Sequence, residues 1–218
     1  MGIAVLVLSI SLTGCGKKSK KHNRSHATAS SGRSLSGAMA AEEMLPNREA
    51  MPGALSMLDG EPVSRAKAPV DCRKPSGKCN GANAHGYVMY KTDAQRSHTA
   101  KFDVTVYRNE TAAKRAYRSW DRYVNADSNG FRVETINQPI GVEHIAFAEA
   151  DVDAGMKVRH ETVFRQGKYI GEVSYVTAQN AAATPPTLTG LSAMFAERVR
   201  QEADGETPSA SAANIPVG

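Results

Sequence analysis

Aromatic side chains are scarce in this chain: seven Tyr, five Phe and a single Trp make up 6% of 218 residues. The hydrophobic core is therefore modest, and Trp120 is its largest single contributor. Signatures of catalysis are missing too. There is no GxSxG, no P-loop, no GxGxxG and no CxxC. "HETVF", starting at His160, lacks the second histidine of a zinc-protease helix and sits in a strand pattern. These absences exclude the commonest hydrolase, nucleotide and dinucleotide motifs, and the sequence implies no enzyme and no cofactor. Long apolar runs are absent as well. The longest, from Ile3 towards Thr13, would span only about 20 Å as a helix, well short of a bilayer core.

That short run is nevertheless informative. It is nearly all Ile, Val, Leu and Ala, and it gives way to small residues before Cys15, the shape of a secretory h-region and cleavage site. "LTGC", residues 12–15, resembles the lipobox of bacterial lipoproteins, in which the cysteine thiol receives diacylglycerol and becomes the mature N-terminus. The resemblance implies a signal peptide over 1–14 and lipid on Cys15. A basic n-region is missing from "MGIAVLV", and the expectation is that the natural start lies upstream.

Acid is absent from residues 17–36, which hold six Lys or Arg, whereas residues 81–203 are nearly balanced at 15 basic against 14 acidic. The net charge of +5 thus belongs to the stretch behind Cys15. That stretch, rich in Ser, Gly and Lys, is too polar to bury a core and reads as a disordered linker over 15–37. Beside a lipidated cysteine it would lie against anionic headgroups at about 1 kcal/mol per charge, or act as a solvated spacer. Nucleic acid is not an expected partner.

With Cys15 assigned to lipid, Cys72 and Cys79 remain, and in an exported chain the pair reads as a disulfide. Closing so short a loop is worth about 2–3 kcal/mol on the chain-entropy account. A metal site would need two more ligands, and His85 is the only close candidate, so none is expected.

Residues 38–203 carry the legible pattern. "AAEEM" offers a short helix stopped by Pro46. "GYVMYKT" and the alternating "KFDVTVY" suggest a hairpin. "NETAAKRAYRSWDRYVNA" sets Ala113, Ala116, Tyr117, Trp120 and Val124 along one helical stripe with Asn109 as its cap. Four strand-like runs follow, and Leu188, Leu191, Phe195 and Val199 mark a closing helix. A Gly167-Lys168 turn pairs Phe164 with Gly171, Thr162 with Val173 and His160 with Tyr175, and it avoids placing Glu161 opposite Glu172. Across "DVDAG", pairing Ala150 with Met156 would set Glu149 opposite Lys157. The fold expected is α+β: an antiparallel sheet of about five to six strands packed by two or more helices. Residues 204–218 are expected to fray.

Taken together, the lipobox, the basic linker, "NETAAKRAYRSW", "INQPIG" and "FRQGKYIGEVSY" before a last helix resemble the lipid-anchored extracellular domains of actinobacterial envelopes, the PknH-type sensor domain family with its PsbP-like fold. The resemblance implies a sensor or accessory role in the envelope; the protein is expected at the outer face of the cell membrane, as a monomer with an envelope ligand or protein partner.

Two constellations remain as candidate contacts. In the register above, His144 and His160 share a face on adjacent strands, offset by two residues, near enough to act as a pair in a small envelope hydrolase. The plainer reading has His160 bonded to the Tyr175 hydroxyl and His144 at the sheet end. The second constellation is basic: Lys114, Arg118 and Arg122 recur every four residues on the exposed helix face, with Arg115 beside them, and Glu110 and Asp121 are placed to pair with them.

Overall fold

A computed structural model describes residues 36–57, 63–65, 72, 74–92, 98–151, 157–178 and 186–217. Cys15, the signal segment and nearly all of the linker lie outside the described residues. Eight strands are formed: β1 (Ser56–Met57), β2 (Val63–Arg65), β3 (Ala82–Lys91), β4 (Thr99–Tyr107), β5 (Arg132–Glu134), β6 (Glu143–Asp151), β7 (Lys157–Gln166) and β8 (Tyr169–Ala178). Three helices accompany them: α1 (Gly37–Met44), α2 (Glu110–Val124) and α3 (Pro186–Ala203). All strand pairs are antiparallel. The order across the sheet is β3-β4-β8-β7-β6, with short β5 beyond β6 and both β1 and β2 on the outer edge of β3.

The alternation in β4 explains why helices lie on both faces. Phe102, Val104 and Val106 point to the side covered by α1 and α3, where Phe102 meets Phe195 at 5.4 Å. Leu188, Leu191, Phe195 and Val199 of α3 are fully buried there, the stripe the spacing predicts. Gly171 stands opposite Phe164, and the space its missing side chain leaves is taken up by that ring, since a Cβ there would come within 2.2 Å of it. On the other face α2 buries Ala113, Ala116, Tyr117, Trp120 and Val124 against Ile145, Phe147, Val163 and Ile170. Its first turn is capped by Asn109, whose Oδ1 accepts from the Ala112 amide at 2.9 Å.

The β7–β8 register is the one expected, including His160 opposite Tyr175 and Phe164 opposite Gly171, with Gly167 at φ 54° in the turn. The β6–β7 register differs by two residues: Ala150 pairs with Val158, and Glu149 faces Arg159 rather than Lys157. A shift of two keeps every side chain on its expected face, so apolar patterning alone does not distinguish the registers. The observed one sets Arg159 Nη1 3.5 Å from Glu149 Oε2.

Residues 204–217 form neither helix nor strand, and they lie hydrogen-bonded and packed against the rest of the fold. The Ala212 amide donates to Ala50 O at 2.7 Å, Thr187 Oγ1 donates to Pro216 O at 2.8 Å, and Ile215 packs into the space above Gly190. The sequence contains apolar residues spaced along this stretch, but nothing in a local pattern shows that α3 and the Met44–Met51 segment offer them a seat.

A candidate anion-binding groove beside the disulfide loop

The disulfide forms between Cys72 and Cys79, with Cα atoms 5.5 Å apart. It closes a run of tight turns over residues 74–81, in which Lys78 N donates to Pro75 O and Asn80 N to Gly77 O. Gly77 and Gly81 adopt φ of 90° and 86°, conformations that side chains resist. The same two glycines let the loop approach α2 closely: a Cβ on Gly81 would lie 3.0 Å from that of Ala112, and one on Gly77 3.3 Å from Ser119 Oγ. Two contacts fix the loop further. The Tyr107 hydroxyl donates to Lys78 O, and Lys78 Nζ sits 5.2 Å above the Trp120 ring.

Between this loop and the exposed side of α2 lies a groove of about 1030 Å³, lined by Ser76, Asn80, Arg108, Arg115, Arg118 and Arg122, among others. Arg115, Arg118 and Arg122 occupy helix positions i, i+3 and i+7, one row on the surface. Arg108 joins from the end of β4, where its amide donates to Gly81 O at 2.9 Å. One carboxylate, that of Asp121, shares the lining with these arginines. Among the described residues Arg132, Arg159, Arg165 and Arg200 each have a carboxylate partner, whereas the groove arginines have none. Arg122 Nε donates only to the Arg118 carbonyl, at 3.2 Å. Asp121, placed by sequence to pair with Arg118, instead accepts from Asn125 Nδ2 at 3.0 Å. Lys114 turns away from the row to Glu110, 3.1 Å distant, which also holds Arg165. Four guanidiniums, none ion-paired among the described residues, thus present planar donor forks to one groove that holds a single carboxylate, the chemistry that recognises phosphate or carboxylate.

The histidines are separated. In the observed register His144 pairs with Phe164 and His160 with Ala148, four residues apart along neighbouring strands, about 13 Å. His144 Nε2 lies 3.4 Å from Ile136 O, beside a shallow hollow of about 280 Å³. His160 is fully buried, and its Nδ1 lies 3.0 Å from Glu134 Oε2. Its Nε2 and the Tyr175 hydroxyl are both buried without a hydrogen-bond partner, so the expected bond between them is not made. The imidazole is held by β5 instead, because Glu134 shares the face of Ala146 and His160. Among the described residues no group of three or more His, Cys, Asp or Glu is placed to hold a metal ion. His85, the one residue near the cysteines considered as a ligand, is bonded to Asp103 at 3.1 Å.

The half of the sheet not covered by α2 carries a second charged cluster, in a hollow of about 300 Å³ lined by Lys101, Asp103, Arg159, Glu161 and Glu172. Burial opposes ionisation of Asp103, but the His85 bond and the Lys101 charge prevail and hold its pKa below the usual range. Glu161 and Glu172 receive too little compensation. Burial first, then neighbouring carboxylates including Asp103, push both up to about 7. Between the ordinary carboxylate range and that value the folded chain binds more protons than the unfolded one. The stabilisation is present near pH 5 and is lost as pH rises through 7. Wild-type protein is expected to melt a few degrees lower at about pH 8 than at about pH 5.5, and the Glu161→Gln/Glu172→Gln double variant to lose most of that difference. Calorimetry of the two proteins at the two pH values checks this, and an unchanged difference would contradict it.

No protein family's profile matches the chain, and no curated protein matches it. Among solved structures it is similar to the crystal structure of the extracellular domain of PknH from Mycobacterium tuberculosis, with a TM-score of 0.52 and 10% sequence identity, over 79% of this chain and 100% of that one. The likeness is one of fold, and it agrees with the resemblance read from the sequence.

Proposed function

We propose that this protein is a lipid-anchored domain of the bacterial cell envelope, on the outer face of the cytoplasmic membrane, that works by binding rather than by catalysis. Its ligand is anionic and seats in the groove between α2 and the Cys72–Cys79 loop. The observation that carries the reading is the set of four arginines that have no carboxylate partner among the described residues, around one groove of about 1030 Å³, slightly above the volume range of ordinary ligand sites. Two further observations support the setting. The fold is shared with an extracellular domain, and "LTGC" stands at the end of an apolar segment, followed by a basic linker. The attachment assigned here is the lipid on Cys15, at the end of "LTGC".

Expressed in a bacterial host, the protein is expected to enter the detergent phase and to carry acyl chains by intact mass, while Cys15→Ser releases it or stalls processing. Wild-type protein that stays aqueous and unacylated would remove the anchor from this account. The groove is tested separately: an inorganic phosphate anion is expected to raise the melting temperature of wild type and not of Arg115→Gln/Arg118→Gln/Arg122→Gln.

A further inference from the structure

The geometry of the groove points to a particular class of anion, and this inference rests on the reading of the groove as an anion site. We propose that the ligand is a linear polyanion with hydroxylated spacers, such as a phosphorylated polyol or an acidic sugar chain, lying along α2. Three features of the groove carry this.

The first is the spacing of charge. At a rise of 1.5 Å per residue, Arg118 and Arg122 stand about 4.5 Å and about 10 Å along the helix from Arg115. Arg108 faces them from the end of β4. A single phosphate or carboxylate engages one or two guanidiniums at one point of such a row and leaves the rest unopposed. Anionic groups repeated at intervals of roughly 5–10 Å satisfy the whole row. The second feature is size, since about 1030 Å³ is far more than one such group fills.

The third is the remaining lining. Beside Asp121, the one carboxylate there, Ser76, Asn80 and Ser119 supply hydroxyl and amide groups, which suit hydroxyl-bearing spacers. Among the described residues no aromatic side chain lines the groove, so they offer no platform on which nucleic-acid bases would stack. The groove is also walled on one side by the disulfide loop.

Titration calorimetry of the full chain carrying Cys15→Ser, at near-physiological salt, tests the inference with inorganic tripolyphosphate and orthophosphate as probes. Tripolyphosphate is expected to bind at least about tenfold more tightly than orthophosphate at equal phosphorus. The Arg115→Gln/Arg118→Gln/Arg122→Gln variant is expected to lose about tenfold or more of that affinity. Because these side chains are exposed, the variant folds, and an unchanged Trp120 emission maximum confirms it. A variant with Lys17, Lys18, Lys20 and Lys21 all changed to Ala controls for the basic linker and is expected to retain most of the affinity. Equal affinity for the two phosphates overturns the polyanion while leaving a simple anion site. Loss in the lysine variant rather than the arginine variant moves binding to the linker and overturns it. No binding of either probe overturns this inference and the anion site together. Vesicles of phosphatidylglycerol that bind through the three arginines when tripolyphosphate does not would make the groove a membrane contact instead.

Discussion

Trp120→Ala is expected to cost about 3–5 kcal/mol in urea unfolding, a large part of the roughly 5–15 kcal/mol that holds a domain of this kind together. The ring is 6% exposed and packs at 6.1 Å from both Phe147 and Tyr123. Its neighbours, Tyr123, Phe131 and Phe147 among them, are already packed on one another and on the sheet, so they refill the space only in part. One detail separates two substitutions at this position. Trp120 Nε1 is buried without a hydrogen-bond partner, a cost that the native protein already bears. Trp120→Phe removes that orphan along with part of the ring, and is expected to cost no more than about 2 kcal/mol. Since this is the only tryptophan in the chain, its emission reports on α2 without interference. It should be blue-shifted in the native state and move red on unfolding. Solvent-like emission in the folded protein, together with a near-neutral Trp120→Ala, would mean that α2 does not pack on the sheet through this stripe.

Arg198→Met is expected to destabilise the protein by about 3 kcal/mol or more. The residue is 6% exposed, and among the described residues no carboxylate pairs with its guanidinium. It donates instead to the carbonyls of Glu43, Met44 and Leu45 at 3.0, 2.9 and 3.1 Å, and to Ala210 O at 3.2 Å. Those first three carbonyls are the C-terminal end of α1, where a cation is favoured and where the helix has no further amide to offer. Burial lowers the pKa of the group, without approaching neutrality for an arginine. One side chain thus joins α1, α3 and the chain after α3. Arg198→Lys keeps the charge but not the planar fork, and should restore only part of the loss. The amide of Ala212, which donates to Ala50 O, is expected to lose its protection from hydrogen exchange in Arg198→Met. Retained protection with unchanged stability would show that the tail seats itself independently.

The elements legible in the sequence were those whose signals are local. The α2 stripe, its Asn109 cap, the four-residue apolar row of α3 and the Gly167-Lys168 turn all follow from spacing within about a dozen residues, and each is observed. The β6–β7 register was not, because a two-residue slip preserves the faces and only the pairing of Glu149 with Arg159 or Lys157 distinguishes the alternatives. The contact of Glu134 with His160 needed the position of β5 across β6, two strands away, which no pattern within "FRVETIN" conveys.

The groove was half visible. Arg115, Arg118 and Arg122 could be placed on the exposed side of α2, but Lys114 belonged to the same periodicity until Glu110, which also holds Arg165, drew it aside. Arg108 and the disulfide loop were separable from the helix in sequence. The hairpin of β3 with β4 held the missing clue: pairing Ala82 with Tyr107 brings residue 81 beside residue 108, and the loop with it.

The central claim, that the arginines beside the disulfide loop are the binding surface, is tested most directly by nuclear magnetic resonance of the arginine side-chain Nε–H groups during titration with tripolyphosphate. The account predicts saturable shifts confined to Arg108, Arg115, Arg118 and Arg122, with Arg165 and Arg198, both held inside the fold, unmoved. Shifts spread over exposed arginines in general, or an undisturbed groove at saturating ligand, would contradict it.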